Sequence, residues 1–234
     1  MSKRFKGGTC AYCGDAGETG DHVFARGFFP VSSRADLPQV SACEACNRSK
    51  SELEHYLLSV LPFGSRHDKA GSMLSEMVPG RLAKNQKLHR ELAEGQLPIE
   101  LLEGDERHPS MALPIDGTRL YDYMRYVVRG LASHHFGVVI PATYAVSAGH
   151  VIEEHDAILR RLFVGRSNAY ARGLGDDLIL YEAQQAIDDP HLTMWRFLLY
   201  SGLVFTDGEH GSEAIRPDIW VITAKQPMPG LTED

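Results

Sequence analysis

Apolar positions along the chain recur at helical or strand spacing in separate segments. A first helical stripe follows residue 47 and consists of Leu53, Tyr56, Leu57 and Val60. A second covers residues 120–131, and a further helix is predicted over residues 152–164. Runs rich in aliphatic and aromatic residues, which are typical of strands, occupy residues 39–42, 178–187, 192–205 and 219–223. The pattern predicts an α+β fold in which helices and an antiparallel sheet follow a small first unit.

Proline and glycine divide this pattern into three units. Residues 62–80 contain two prolines and three glycines, which predicts an irregular connection with a short helix near residues 74–78. After Pro79 and Gly80, residues 81–92 have the spacing of one amphipathic, basic helix. A second interruption lies at residues 103–114. The predicted domains are therefore residues 1–62, a helical connection over 63–112, and an α+β unit of unknown role over 113–234.

The four cysteines of the chain form two Cys-x2-Cys pairs that enclose 29 residues: Cys10 with Cys13, and Cys43 with Cys46. Four thiolates in two such pairs suit one tetrahedral Zn²⁺ ion, whereas the alternative is two disulfides. The first eight residues are basic and lack an apolar run, and no stretch reaches the roughly 20 apolar residues of a membrane span. A cytoplasmic location without membrane contact is expected, and reducing conditions there favour zinc.

Polar residues with catalytic potential lie between and beside the cysteine pairs. Asp21 and His22 precede a short strand-like run at residues 23–25, which predicts one arm of a hairpin. Residues 39–42 form the predicted second arm. Asn47 directly follows the last cysteine, where the helix is expected to begin. The predicted order is strand, strand, helix.

This order of residues, completed by Lys50 three positions after Asn47, resembles the HNH endonucleases of the ββα-metal class, in the zinc-bound form of phage endonuclease VII. The resemblance covers about residues 8–62. It implies a structural zinc on the four cysteines and hydrolysis of phosphodiester bonds. His22 is then the general base, and one Mg²⁺ or Mn²⁺ is held by Asp21 and Asn47.

Physical chemistry agrees with these implied roles. Imidazole has an unperturbed pKa close enough to neutrality to accept a proton from water, and Mg²⁺ prefers oxygen ligands. The helix start would add partial positive charge near the phosphate. The chain also departs from the family: Pro38 stands where many members have an Asn that orients the base, so the loop backbone is expected to hold His22. His55 is a candidate further metal ligand, with a solvated helix residue as the alternative.

Charge distribution limits where a nucleic acid can bind. The net charge is -7, but residues 1–100 hold 13 Lys and Arg against 12 Asp and Glu, so the acidity belongs to the second half. The candidate phosphate contacts are Arg26, Arg48, Lys50, Arg81, Lys84 and Lys87. DNA is expected more than RNA, and cutting both strands of a duplex favours a homodimer. The alternative function is a zinc knuckle that binds nucleic acid or protein without catalysis.

Overall fold

The first hairpin lies close to its predicted position in the computed structural model, which describes residues 5–103, 106–150, 167–203 and 218–228. Strand β1 (Thr19–His22) pairs antiparallel with β2 (Gln39–Ala42), which has the predicted bounds. The first arm was predicted to continue through residue 25, yet β1 ends at His22. The reason is Pro38, whose carbonyl accepts from the Val23 N–H but which has no N–H to continue the ladder.

Helix α1 (Glu44–Val60) begins three residues before Asn47, earlier than predicted. Cys43 is its N-cap, and the Cys43 sulfur accepts from the Cys46 N–H at 3.4 Å. The predicted apolar stripe is confirmed, since Tyr56, Leu57 and Val60 are buried. The helix start therefore coincides with the second cysteine pair, and Asn47 lies in the first turn.

The middle of the chain differs from the prediction in two places: the expected irregular connection contains helices, and the expected single helix is broken. Helices α2 (Ala70–Glu76) and α3 (Val78–Lys84) occupy most of the expected irregular connection. The single helix predicted over residues 81–92 is divided at Asn85, and α4 (Gln86–Glu94) follows. Asn85 leaves helical geometry at φ -126° and ψ 74°, and its side chain accepts from the Leu88 N–H at 3.1 Å. Asn85 thus caps the second helix, a role in which asparagine competes well with helix continuation.

A two-stranded antiparallel hairpin stands where the sequence indicated only a boundary. It consists of β3 (Leu97–Glu103) and β4 (Glu106–Ala112). Pro109 lies within β4, opposite Glu100. Proline is tolerated there because a two-stranded hairpin has only edge strands.

The second half contains a helix and a five-stranded antiparallel sheet. Helix α5 (Gly117–Leu131) matches its prediction and continues as a π-helical turn, Ala132–Phe136, that ends at Gly137. The sheet has the order β5-β9-β8-β7-β6. Its strands are β5 (Ala145–Gly149), β6 (Ser167–Leu174), β7 (Ile179–Ala186), β8 (Thr193–Leu199) and β9 (Asp218–Ala224). The last three lie within predicted runs, whereas β5 and β6 were not predicted. The run predicted over residues 192–205 is too long, because β8 ends at Leu199 where Tyr200 and Ser201 turn with positive φ. The helix predicted over residues 152–164 lies outside the described residues.

The hydrophobic core passes from the hairpin and α1 into α5 and the sheet. Phe24, just after β1, lies 6.3 Å from Tyr181 and 6.4 Å from Phe197, measured between ring centroids. Helix α5 approaches so closely that a Cβ on Gly130 would lie 2.9 Å from Val23. The hairpin is thus held by apolar packing as well as by its cysteines. Among the described residues, no helix combines the length and apolar character needed to cross a membrane.

Candidate metal centre and active site

The four cysteine sulfurs lie together and could hold a metal ion such as zinc. All four atoms are within 4.8 Å of one another, and the four cysteines are free thiols. Cys13 Sγ and Cys43 Sγ are 3.8 Å apart. A tetrahedral ion with Zn–S bonds of about 2.3 Å requires sulfurs roughly 3.8 Å apart, so the donor set and its spacing fit zinc. No described cysteine pair forms a disulfide.

Backbone hydrogen bonds build the first cysteine pair as a tight turn. The Gly14 N–H donates to the Cys10 carbonyl at 2.9 Å, and the Cys10 N–H donates to the Asp15 carbonyl at 2.7 Å. Gly14 has a φ of +88°, a conformation that glycine adopts without steric cost. The Ala11 N–H donates to the Ser41 carbonyl of β2, which places this turn beside the second cysteine pair.

The protonation of the thiols makes metal binding depend on pH. Burial raises the pKa of Cys13 to about 11 and raises the pKa of Cys46 further. Both thiols therefore keep their protons at neutral pH unless a cation replaces them. A bound zinc ion would displace these protons, so its affinity should weaken as the pH falls.

Asp21 and Lys50 form an ion pair between β1 and α1. Lys50 Nζ lies 3.0 Å from Asp21 Oδ2, the same oxygen that accepts from the Tyr12 hydroxyl at 2.5 Å. Glu54, one turn after Lys50, pairs with the other side of the ammonium group. The Lys50 side chain is 0% exposed and that of Asp21 is 12% exposed. Both contacts to Asp21 go to Oδ2, which leaves Oδ1 as its oxygen for a cation.

Asn47 faces the same interface as Asp21. Its Nδ2 donates to the Thr19 hydroxyl at 3.4 Å, and this hydroxyl donates to the Ala42 carbonyl, also at 3.4 Å. Thr19 and Asp21 are two residues apart on β1 and therefore project to one face of the hairpin. The contacts Asn47–Thr19 and Lys50–Asp21 join this face to one face of α1. The structure thus brings Asp21 and Asn47 into a shared strand–helix interface, with the Asn47 amide oxygen turned away from Thr19.

His22 is held at the end of β1 by two contacts. Its backbone carbonyl accepts from Lys50 Nζ at 2.8 Å, and its ring Nε2 lies 2.7 Å from the Gln39 side-chain Nε2. The side chain of Gln39, rather than the loop backbone alone, therefore orients the imidazole beside Pro38. Burial lowers the pKa of His22 below its ordinary value, and Arg26 adds to the shift. The ring is consequently neutral at neutral pH and able to accept a proton.

Two of the amide groups in the first turn of α1 already have side-chain acceptors within the protein. The Glu44 N–H donates to the Glu18 carboxylate at 2.9 Å, and the Cys46 N–H donates to the Cys43 sulfur. The positive end of the helix dipole therefore acts on the sulfur site and on Glu18. That the helix start adds positive charge near a phosphate stays a prediction, and direct donation by the Glu44 and Cys46 amides would require a change of partner.

The candidate phosphate contacts divide by exposure. Lys50 is fully buried and Arg81 donates to the carbonyls of Leu58 and Gly27, at 2.7 and 2.8 Å, so the structure supports neither as a phosphate contact. The remaining candidates have exposed side chains: Arg26, Arg48, Lys84 and Lys87. Two of them have weak surface ion pairs within their own helices, with Glu44 and Glu91.

His55 is exposed on α1, and no hydrogen bond or ion pair joins it to Asp21 or Asn47, all three of which are described residues. The structure gives no support to His55 as a metal ligand. The residues that sequence reasoning missed are Tyr12, Gln39 and Glu54, which contact the Asp21, His22 and Lys50 group. Of these three, only the contact of Glu54 could have been predicted from the sequence, because Glu54 lies four residues after Lys50, the spacing of a helical ion pair.

The pH dependence of stability tests the Glu54 environment. Burial raises the pKa of Glu54 to about 7, against a usual value of 4.5, although Lys50 opposes the rise. The folded chain thus binds this proton more tightly than the unfolded chain, so the stabilisation exists at low pH and is lost as the pH rises through the folded pKa. We expect the free energy of unfolding to fall by about 1 kcal/mol between about pH 6 and 8, and Glu54→Gln to lack this fall. Urea unfolding measures both; an equal fall in the variant would contradict the prediction.

A scan against protein-family models, a search of curated proteins and a search of solved structures each found no match to this chain. The functional assignment therefore depends on the residues and their geometry.

Proposed function

We propose that this protein is a metal-dependent endonuclease of the HNH type that hydrolyses phosphodiester bonds of nucleic acid, DNA more than RNA. The observation that carries the proposal is the interface between β1 and α1. Asp21 on β1 contacts α1, Asn47 on α1 contacts β1, and His22 is the last residue of β1. Four cysteine sulfurs adjoin this interface through Cys43 and Cys46, which begin α1.

The donor atoms of this interface suit a hard divalent cation. Asp21 offers Oδ1, and Asn47 offers its amide oxygen because its nitrogen is turned to Thr19. Oxygen ligands of this kind are those that Mg²⁺ and Mn²⁺ accept while keeping several waters. Such an ion would neutralise the negative charge that builds on the phosphate and the leaving oxygen during hydrolysis. The zinc on the cysteines would have a separate, structural role.

His22 supplies the base in this proposal. The Gln39 amide beside Nε2 either donates to an unprotonated nitrogen or, after a half-turn, accepts from Nε2–H. The second arrangement leaves Nδ1 free of a proton, so that Nδ1 accepts the proton of the attacking water. The lowered pKa of His22 keeps this nitrogen available at neutral pH.

Exposed cations of the first hundred residues would hold the substrate backbone. Arg26 follows β1 by four residues, and Arg48 follows Asn47 directly. Lys84 and Lys87 flank the break between α3 and α4. Contacts of this kind fix the register of a nucleic acid without reading its sequence, so the proposal includes no sequence preference. A homodimer would suit paired cuts in a duplex.

A second candidate function is a zinc-containing module that binds nucleic acid without cleaving it. One observation favours it: the Asp21 carboxylate already has two partners, Lys50 and Tyr12, and is largely buried. A carboxylate so engaged can be purely structural. The two candidates predict the same binding and differ in turnover.

The deciding experiment incubates purified protein with plasmid DNA, single-stranded DNA and RNA, with added Mg²⁺ or Mn²⁺ and with neither. No chelator is used, because it would also remove zinc. We expect cleavage only with the added ion. Asn47→Ala should lower the rate at least about 100-fold, since an ion that neutralises transition-state charge contributes several kcal/mol.

The matched control is Asn168→Ala, an exposed asparagine on β6, which should cleave like the wild type. If the protein binds nucleic acid but cleaves none of the three substrates, the nuclease proposal is rejected and the binding module is supported. Cleavage that persists undiminished in Asn47→Ala would reject the proposed ion site.

A further inference from the structure

Lys50 is a fully buried cation with three acceptors at its ammonium group. Nζ donates to the His22 carbonyl at 2.8 Å and contacts Asp21 Oδ2 at 3.0 Å, and its third partner is Glu54. An ammonium group has three N–H donors, so these contacts satisfy it completely. The rings of Tyr12 and Tyr123 lie 6.0 and 5.8 Å from Nζ and close the remaining sides.

Two of the three acceptors belong to consecutive residues with different proposed tasks. Asp21 is held through its side chain, and His22 is held through its backbone. One cation therefore fixes the carboxylate that would bind an ion and the strand end that presents the base. Asn47 lies one turn before Lys50 on the same helix, so α1 sets all three residues relative to one another.

We propose that Lys50 is a positioning residue of the candidate active site. The inference rests on the proposed nuclease function and specifies how that site is held. Stability alone is a poor reason for this arrangement, because well-packed apolar residues usually stabilise a buried position as well as an ion pair does. An ion pair instead fixes direction: the Lys50 ammonium group holds Asp21 by Oδ2, which leaves Oδ1 for an ion, and it also holds the backbone carbonyl of His22.

This role differs from a phosphate contact in what it predicts. A lysine that neutralises a phosphate contributes to binding, and its loss lowers the salt dependence of affinity by about one ion. A positioning lysine contributes to the geometry of reaction, and misplacement by about 1 Å can lower the rate about 100-fold without weakening binding.

The test compares Lys50→Met with Lys225→Met, the matched loss of an exposed lysine that has no role in the proposed site. We expect Lys50→Met to lower kcat about 100-fold with KM unchanged. Its affinity for duplex DNA, measured at several salt concentrations without added divalent ion, should keep the wild-type salt dependence. Lys225→Met should leave kcat unchanged. An unchanged kcat in Lys50→Met, or a raised KM with a reduced salt dependence, would overturn the inference.

Loss of the buried cation leaves two carboxylates unpaired, so a second variant protects the test against unfolding. Lys50→Met/Glu54→Gln removes one of these charges and should retain zinc and a cooperative thermal transition. It should show the same fall in kcat; recovery of the wild-type rate together with stability would mean that Lys50 is only structural.

A spectroscopic measurement separates failure of this inference from failure of the proposed function. The imidazole NMR signals of His22, followed in the folded resting protein, should shift or broaden in both Lys50 variants and remain unchanged in Lys225→Met. If the wild type cleaves no substrate, the nuclease proposal fails and these signals alone decide the positioning role. Unchanged His22 signals would reject it.

Discussion

If the four cysteines hold zinc, replacement of Cys43 by serine should abolish zinc binding and unfold the first fifty residues locally, while the five-stranded sheet stays folded. Cys43 is both a candidate ligand and the N-cap of α1. Serine is itself a good N-cap, so Cys43→Ser keeps the helix start and removes only the sulfur. The expected loss is therefore the free energy of metal binding, not of the helix cap.

The size of this effect follows from how the hairpin is held. Zinc contributes about 10–16 kcal/mol to small zinc-finger peptides, which lack other support. Here Val23 and Phe24 pack against α5 and the sheet, so the hairpin also has apolar support. We expect a smaller loss, on the order of 5 kcal/mol, and a fall in Tm of roughly 10–20 °C.

Three measurements check this prediction. Metal analysis should find about one zinc per wild-type chain and much less in Cys43→Ser. Hydrogen exchange should show lost protection in β1, β2 and the start of α1, with β7 to β9 still protected. Cys43→Ala adds loss of the cap and should be less stable than Cys43→Ser by about 1 kcal/mol. A Cys43→Ser protein with wild-type zinc content and protection would contradict the zinc assignment.

The elements that could be predicted from the sequence are those whose burial imposes a period. Residues of α5 and β7 alternate between core and surface at helical or strand spacing, so their side chains alone indicate the element. Strands β5 and β6 contain small and polar residues, and they are ordered by pairing with β9 and β7. The hairpin of β3 and β4 has exposed prolines and charged residues. In the sequence alone these residues indicate a break, because the pairing between the two strands cannot be seen there.

The candidate site shows the same limit for individual residues. The cysteine spacing predicted four clustered sulfurs because two short turns can reach one ion. A lysine in a helix of polar residues is expected to reach solvent, so the sequence predicts Lys50 as a candidate phosphate contact. Its burial depends on Asp21 from β1 and on Tyr123 from α5, which only the tertiary fold brings to it. Gln39 likewise became relevant through its register opposite His22.

Replacement of His22 by alanine should abolish most cleavage while leaving the zinc, the fold and nucleic-acid binding intact. The imidazole contacts the Gln39 side chain, whereas the backbone carbonyl of His22 accepts from Lys50, a bond that alanine preserves. General-base catalysis by a positioned side chain contributes about 10²–10⁴-fold, so we expect kcat to fall by about 10³-fold. KM for DNA should change little, because the ring accepts a proton and does not hold the phosphate.

The pH dependence gives a second, independent signature of the base. In the proposed mechanism the reactive form of His22 is the neutral ring, so activity should be present at neutral pH and decline as the pH falls through the His22 pKa. Burial and Arg26 lower that pKa, which places the decline below the ordinary value of 6.5. The residual activity of His22→Ala should lack this decline. Rates must be compared at pH values where zinc content is unchanged, because protonation of the thiols also releases metal.

His89→Ala is the matched control, since His89 is an exposed histidine on α4. It should keep the wild-type rate and the wild-type decline at low pH. A wild-type rate in His22→Ala would exclude His22 as the base, and an unchanged decline in the residual activity would assign the titration to another group. If Asn47→Ala is inactive but His22→Ala is active, the proposed ion site is supported. The general base is then another group at the β1–α1 interface.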